Sequence, residues 1–156
     1  MPTIAVLGTL DSKGPEHAYV ADMIRADGFD TLLIDVGTGG EPQIKPDITR
    51  HQVATAANID IDAIAQRRDR GECVISMSAA IPILLAQLVK EGKIDGVISL
   101  GGGGGTAIAT AGMRALPLGF PKVMVSTLAS GNIAPYVGTK DITMIPSVLD
   151  VNGLNR

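Results

Sequence analysis

Short apolar runs alternate with longer stretches of helical spacing along the whole chain. Thr3 to Leu7 (TIAVL) is closed by Gly8; Thr31 to Val36 (TLLIDV), Asp95 to Leu100 (DGVISL) and Lys122 to Ser126 (KVMVS) repeat the pattern; Asp141 to Ile145 (DITMI) is a shorter version. Each reads as a strand. Pro15 to Arg25, with apolar residues at Ala18, Met23 and Ile24 and Gly28 behind it, reads as a helix. Residues 49–70 predict one or two short helices. Residues 72–91 predict a long apolar helix stopped by Gly92, with a kink or break at Pro82. Thr106 to Leu116 predicts an Ala-rich helix suited to close packing on a sheet. Gly37, Gly39, Gly40, Pro42 and Pro46 make the stretch after the second strand a long loop. Strands alternating with helices imply right-handed crossovers, hence an α/β fold with a mainly parallel sheet of about five strands.

Composition narrows this picture. The 156 residues fit one domain, 1–156, and 46% hydrophobic against 19% charged residues describes a globular chain. With two Phe, two Tyr and no Trp, the core is left to Ile, Leu, Val, Ala and Met, which suits a parallel sheet covered on both faces. A net charge of −3, with no basic patch and no aromatic platforms, argues against nucleic-acid binding. Cys73, the single cysteine, lies beside Val74 and Ile75 and reads as a packed thiol in a reducing, cytoplasmic compartment. There is no basic-then-apolar leader, and no apolar run of spanning length free of Gly or charge, so no membrane is expected. The tail, Ser147 to Arg156, has no capping signal, and the chain is expected to continue past it.

The chemistry is concentrated in loops that follow strands. The strongest signal is Gly101 to Gly105 followed by Thr106, between a strand and a helix. Glycine permits positive φ and close backbone approach, and a helix N-terminus favours an anion. Gly102, Gly103, Gly104 and Gly105 are therefore candidate phosphate contacts, with Thr106 as cap or hydroxyl donor; the bland alternative is a tight turn packing helix on strand. Gly8 to Gly14 (GTLDSKG) superficially resembles a Walker A loop but lacks a Ser or Thr after Lys13. It still offers Lys13 as charge, Thr9 and Ser12 as hydroxyls, and Asp11 as a ligand for Mg²⁺ or a ribose hydroxyl; ordinary helix capping is the alternative. Ser126 to Asn132 (STLASGN) is a third small-residue loop, with Thr127, Ser130 and Gly131 as contacts or as a plain turn. Asp35 closes the second strand, where dinucleotide-binding folds place a ribose-contacting acid, or it holds the loop at Gly37 to Gly40. All these loops should emerge at one sheet edge, where open α/β sheets bind ligands. His17 is expected to be half-exposed on the first helix, and His51 capping or solvated. Arg67, Arg68 and Arg70 are read as a solvated helix face, with a phosphate or partner contact as the lesser alternative. No His/Cys cluster has metal-ligand spacing.

Taken together, Gly8 to Glu16 (GTLDSKGPE), Lys93 to Thr106 (KIDGVISLGGGGGT), Ala115 to Thr127 (ALPLGFPKVMVST) and Ser126 to Gly131 resemble the N-terminal ATP-binding domain of the tomato mosaic virus resistance protein and its bacterial relatives. The resemblance covers nearly the whole chain. It implies a Rossmann-like three-layer sandwich, with ATP across the strand ends touching Thr9 to Lys13, the glycine run with Thr106, and Thr127 to Gly131. It also implies a C-terminal domain after this N-terminal half. The plant relative blocks viral RNA synthesis; a bacterial-type chain is expected to have a different, metabolic role.

Three functions follow as expectations. The first is a nucleotide-binding module holding ATP, with Mg²⁺ as an accompanying ion. The second is an ATP-dependent phosphoryl-transfer or hydrolytic enzyme acting with the C-terminal domain. The third is an interaction protein whose nucleotide orders its surface. A dinucleotide dehydrogenase is a weaker rival. The surplus of apolar residues in the helix over 72–91 points to a homo-oligomer.

Overall fold

The computed structural model describes residues 1–147; the expectation for the tail past Ser147 lies outside the described residues. Elements run β1 (Thr3–Gly8), α1 (Gly14–Ala26), β2 (Asp30–Asp35), α2 (Arg50–Ala56), α3 (Ile61–Gln66), α4 (Arg70–Lys90), β3 (Gly96–Gly101), α5 (Gly103–Arg114), β4 (Lys122–Ser126), α6 (Ala134–Val137) and β5 (Thr143–Pro146). The five strands form one sheet, ordered β2-β1-β3-β4-β5, and every pairing is parallel. With helices on both faces, this is the parallel α/β sheet read from the alternation of runs and the three-layer sandwich implied by the resemblance.

Strand period sorts the core into two layers. Ala5, Leu7, Ile34, Val97 and Met124 face α2, α4 and α5, where they pack with Met77, Ile81, Leu85, Ile108 and Met113. Val6 and Leu33 face the opposite way and meet Ala21 of α1. α4 runs unbroken through Pro82, so of the kink or break expected there the break does not occur. The ring removes one backbone donor, yet Met77, Ala80, Ile81, Leu84, Leu85 and Leu88 are all buried and hold the helix on both sides of it. Among the described residues α4 is the one helix long and apolar enough to cross a membrane by length and composition, but one side of it forms the core.

The rim away from the loops is fastened by Lys122. Its buried ammonium donates to the carbonyls of Pro117 and Phe120, both at 2.8 Å, and to Asp141 Oδ1 at 2.6 Å. Asp141 Oδ2 accepts from the Gly119 amide at 2.7 Å. The Lys122 bond, helped by the Gly119 amide, lowers the Asp141 pKa from 3.8 to about 2. A carboxyl with a depressed folded pKa contributes stability that is present above its unfolded pKa and lost as pH falls through the folded value. Urea melts should therefore lose stability between about pH 4 and pH 2, and Asp141→Asn should flatten that part of the profile. An unchanged acid limb in the variant would count against this clamp.

Candidate functional site

The connection from β1 leads to one side of the sheet and that from β3 to the other, so the strand order reverses between these neighbours. Loops leaving the carboxyl ends of two such strands diverge and open a crevice. Here it is a cleft of about 1460 Å³. Thr9, Asp11, Ser12 and Lys13 line it from the loop after β1, Asp35 from the end of β2, and Gly102, Gly103, Gly104 and Gly105 from the turn after β3.

Helix α5 begins inside the glycine run, at Gly103, with Gly102 as N-cap and no side chain capping it. The first amides of a helix have no partner within it, so they are presented outward. None of Gly101 to Gly105 has positive φ, so the conformational freedom expected there is not what the run uses. Close approach is: a Cβ on Gly101 would lie 3.2 Å from the Gly105 Cα, whereas one on Gly103 would meet no atom within 4 Å. Thr106 neither caps the helix nor lines the cleft. It is fully buried, and its hydroxyl bonds to Ser126 Oγ at 2.6 Å, tying α5 to β4.

The two acids act mainly as struts. Asp11 Oδ2 accepts the amides of Gly39 at 2.7 Å and Gly40 at 3.1 Å, pulling the long loop after β2 over the cleft. Buried Asp35 accepts from Leu10 N and Gly37 N through Oδ1, and from Arg50 Nε at 2.7 Å through Oδ2. The Thr9 and Ser12 hydroxyls bond to each other at 2.9 Å. Thr127, Ser130 and Gly131 are not brought into the cleft. They line a separate depression of about 300 Å³, because β4 lies one strand beyond the reversal.

Several contributors went unrecognised in the sequence or were given only a lesser reading as contacts. Arg50 opens α2, its guanidinium largely buried, with Nη2 making no hydrogen bond. Arg68 and Arg70, read as a solvated helix face, are exposed but line the cleft wall; Arg70 opens α4 beside Gly104. No pattern marks them, because α3 and α4 are separated from the glycine run by a full strand. His51 is exposed and pairs with Asp62 at 2.8 Å. Cys73 is buried, as its apolar neighbours implied. Among the described residues no group of three His, Cys, Asp or Glu stands close enough to hold a metal.

His17 corrects the expectation of a half-exposed residue: it is fully buried beneath the cleft floor. Nδ1 bonds to the Lys13 carbonyl at 2.6 Å, and Nε2 accepts the Leu100 amide at 3.4 Å. That pairing assigns the proton to Nδ1 of a neutral ring. Burial lowers its pKa, against the opposing effect of the Lys13 carbonyl. The ring thus joins the loop after β1 to the end of β3, and it lies flat against Gly8, where no Cβ could fit.

Fold and cleft together define a parallel α/β domain whose switch point carries a bare glycine helix end facing cationic side chains. The chain belongs to the uncharacterised protein family UPF0261, matching its N-terminal domain over residues 2–156. It is 49% identical over 152 residues to a UPF0261 protein of Clostridium tetani, covering 97% of this chain and 38% of that protein. It is 47% identical over 156 residues to one of Rhizobium meliloti, covering 100% of this chain and again 38% of the relative. It is also 43% identical over 170 residues to the ToMV susceptible protein tm-1(GCR26) of Solanum lycopersicum, covering 99% of this chain and 22% of the plant protein. The chain thus spans well under half the length of these relatives.

Proposed function

We propose that this domain binds the phosphates of a nucleotide, ATP, at the switch-point cleft. The observation that carries the reading is the uncapped N-terminus of α5, opening with Gly103, Gly104 and Gly105 into a cleft also lined by Lys13, Arg50, Arg68 and Arg70. Unpaired helix amides and the positive end of the helix dipole suit a bound anion. Arg50 is already paired with Asp35, and Glu41 and Asp62 also line the cleft, so the helix amides together with Lys13, Arg68 and Arg70 are the groups that would attract an anion. The cleft exceeds what phosphates alone require and has room for sugar and base.

Mg²⁺ fits as an ion carried in by the phosphates. Asp11 is the one acid of the β1 loop in the cleft, and a single carboxylate with phosphate oxygens and water is a common magnesium arrangement. Asp11 would hold it, leaving Lys13 and the α5 amides to the phosphates. Asp11 and Asp35 already brace backbone and Arg50, which favours binding over turnover. A cytoplasmic, self-associating protein goes with this reading; exposed Ile75 and Ile83 on α4 are the candidate contact surface.

Calorimetric titration with ATP and Mg²⁺ tests the proposal. The expected result is saturable binding that Lys13→Ala weakens by about tenfold, as removal of a charge-assisted contact does. A folded chain that gives no saturable binding would overturn it. Phosphate release during the titration would move the reading to the ATP-dependent enzyme.

A further inference from the structure

One face of the sheet is only half covered. The register places Gly96, Ile98 and Leu100 of β3, Val123 and Val125 of β4, and Thr143 and Ile145 of β5 on the same face as Val6 of β1, the face that α1 packs against. Burial declines steadily across that face. Val6 is fully buried and Leu33 is 7% exposed, Ile98, Leu100, Val123 and Val125 are intermediate, and Ile145 is 44% exposed. On the opposite face Met124 is fully buried at the same level of the sheet. An all-parallel sheet is normally covered on both faces, so among the described residues this apolar strip lacks a partner.

Topology shows where that partner does not come from. The connections β2→β3, β3→β4 and β4→β5 all advance in one direction across the sheet, so right-handed crossovers put them all on the α5 face. Only β1→β2 runs the other way, and α1 is accordingly the sole helix of the described residues on the open face. No connection between these strands can cover β3 to β5 there. The described chain ends at Ser147, just past β5 at the border of the strip. The relatives are far longer than this chain, which spans 38% of the Clostridium tetani protein.

We propose that Ile98, Leu100, Val123, Val125 and Ile145 form the docking face for an apolar segment, best suited to a helix, supplied by the polypeptide that follows β5. The segment completes the third layer of the sandwich over β3 to β5. Its apolar side meets the strip and its polar side faces solvent, as α1 does over β1 and β2.

The test is thiol accessibility. Cysteine is introduced as Val125→Cys or, separately, Val123→Cys on the strip, and as Ala86→Cys on the exposed side of α4 as reference; labelling by a maleimide is followed at the introduced site by mass spectrometry. The same substitutions are made at the aligned positions of the full-length Clostridium tetani relative. The strip cysteines should react readily in the 156-residue chain and at least about tenfold more slowly in the full-length relative, while the reference position reacts at similar rates in both. Equal reactivity of the strip in both proteins would overturn the proposal. Protection already present in the 156-residue chain and growing with protein concentration would also overturn it, in favour of a second copy on this face.

Discussion

Replacing Gly8 by alanine is expected to lower the melting temperature by roughly 6–12 °C, from an overpacking cost of about 3 kcal/mol. The added methyl would collide with the His17 ring, which has nowhere to go: it is fully buried and held by Lys13 O on one side and Leu100 N on the other. Gly8 has no positive φ, so the cost is steric rather than conformational. The pair Gly8→Ala with His17→Ala should be less destabilised than the sum of the two single variants, because removing the ring removes the collision. Strict additivity would show that the two residues do not share this space. The same ring predicts a pH dependence. Its folded pKa lies below the unfolded value of about 6.5, so between the two the unfolded state binds more protons. Stability is fully present above about pH 6.5 and falls as pH drops below it, by at most about 1.4 kcal/mol per unit. Glu16 and Lys13, the nearest charges, act on His17 in opposite directions and less than burial does. Urea melts of His17→Gln should lose that slope.

Gly103→Ala is expected to do the reverse, leaving the fold intact and weakening ATP binding by about tenfold or more. Gly103 has an ordinary φ, and its missing side chain would touch nothing within 4 Å, so alanine is accommodated. As the better helix former it should hold or raise the melting temperature, by up to about 1 kcal/mol of stability. The methyl would occupy the space before the first amides of α5, where a phosphate oxygen must come for those amides to bond it. A stable Gly103→Ala chain that binds ATP like the parent would remove α5 from the phosphate site. Read together with Lys13→Ala, it would separate failure of the helix end from failure of the cleft as a whole.

Much of the architecture was written locally. The strand run TIAVL owes its state to burial on two faces, which leaves an uninterrupted apolar signature, and the helix over Gly14–Ala26 to apolar spacing and a glycine stop. The glycine run and the Thr9 to Lys13 loop were legible as neighbours of one cleft, because parallel strands send their carboxyl ends to one edge. Tertiary structure decided the rest. Thr106 looked like a ligand contact, but whether a polar group faces a cleft or a neighbouring strand depends on strand order and helix rotation, and these turned it to Ser126; Asp35 does line the cleft, where it also holds Gly37 and Arg50. Thr127, Ser130 and Gly131 were excluded by one strand's width. Arg68 and Arg70 gained their place, and His17 its burial, from contacts between segments far apart in the chain. Periodicity reports which side of an element is buried; it carries no information about what lies across the gap, and the site is assembled across such gaps.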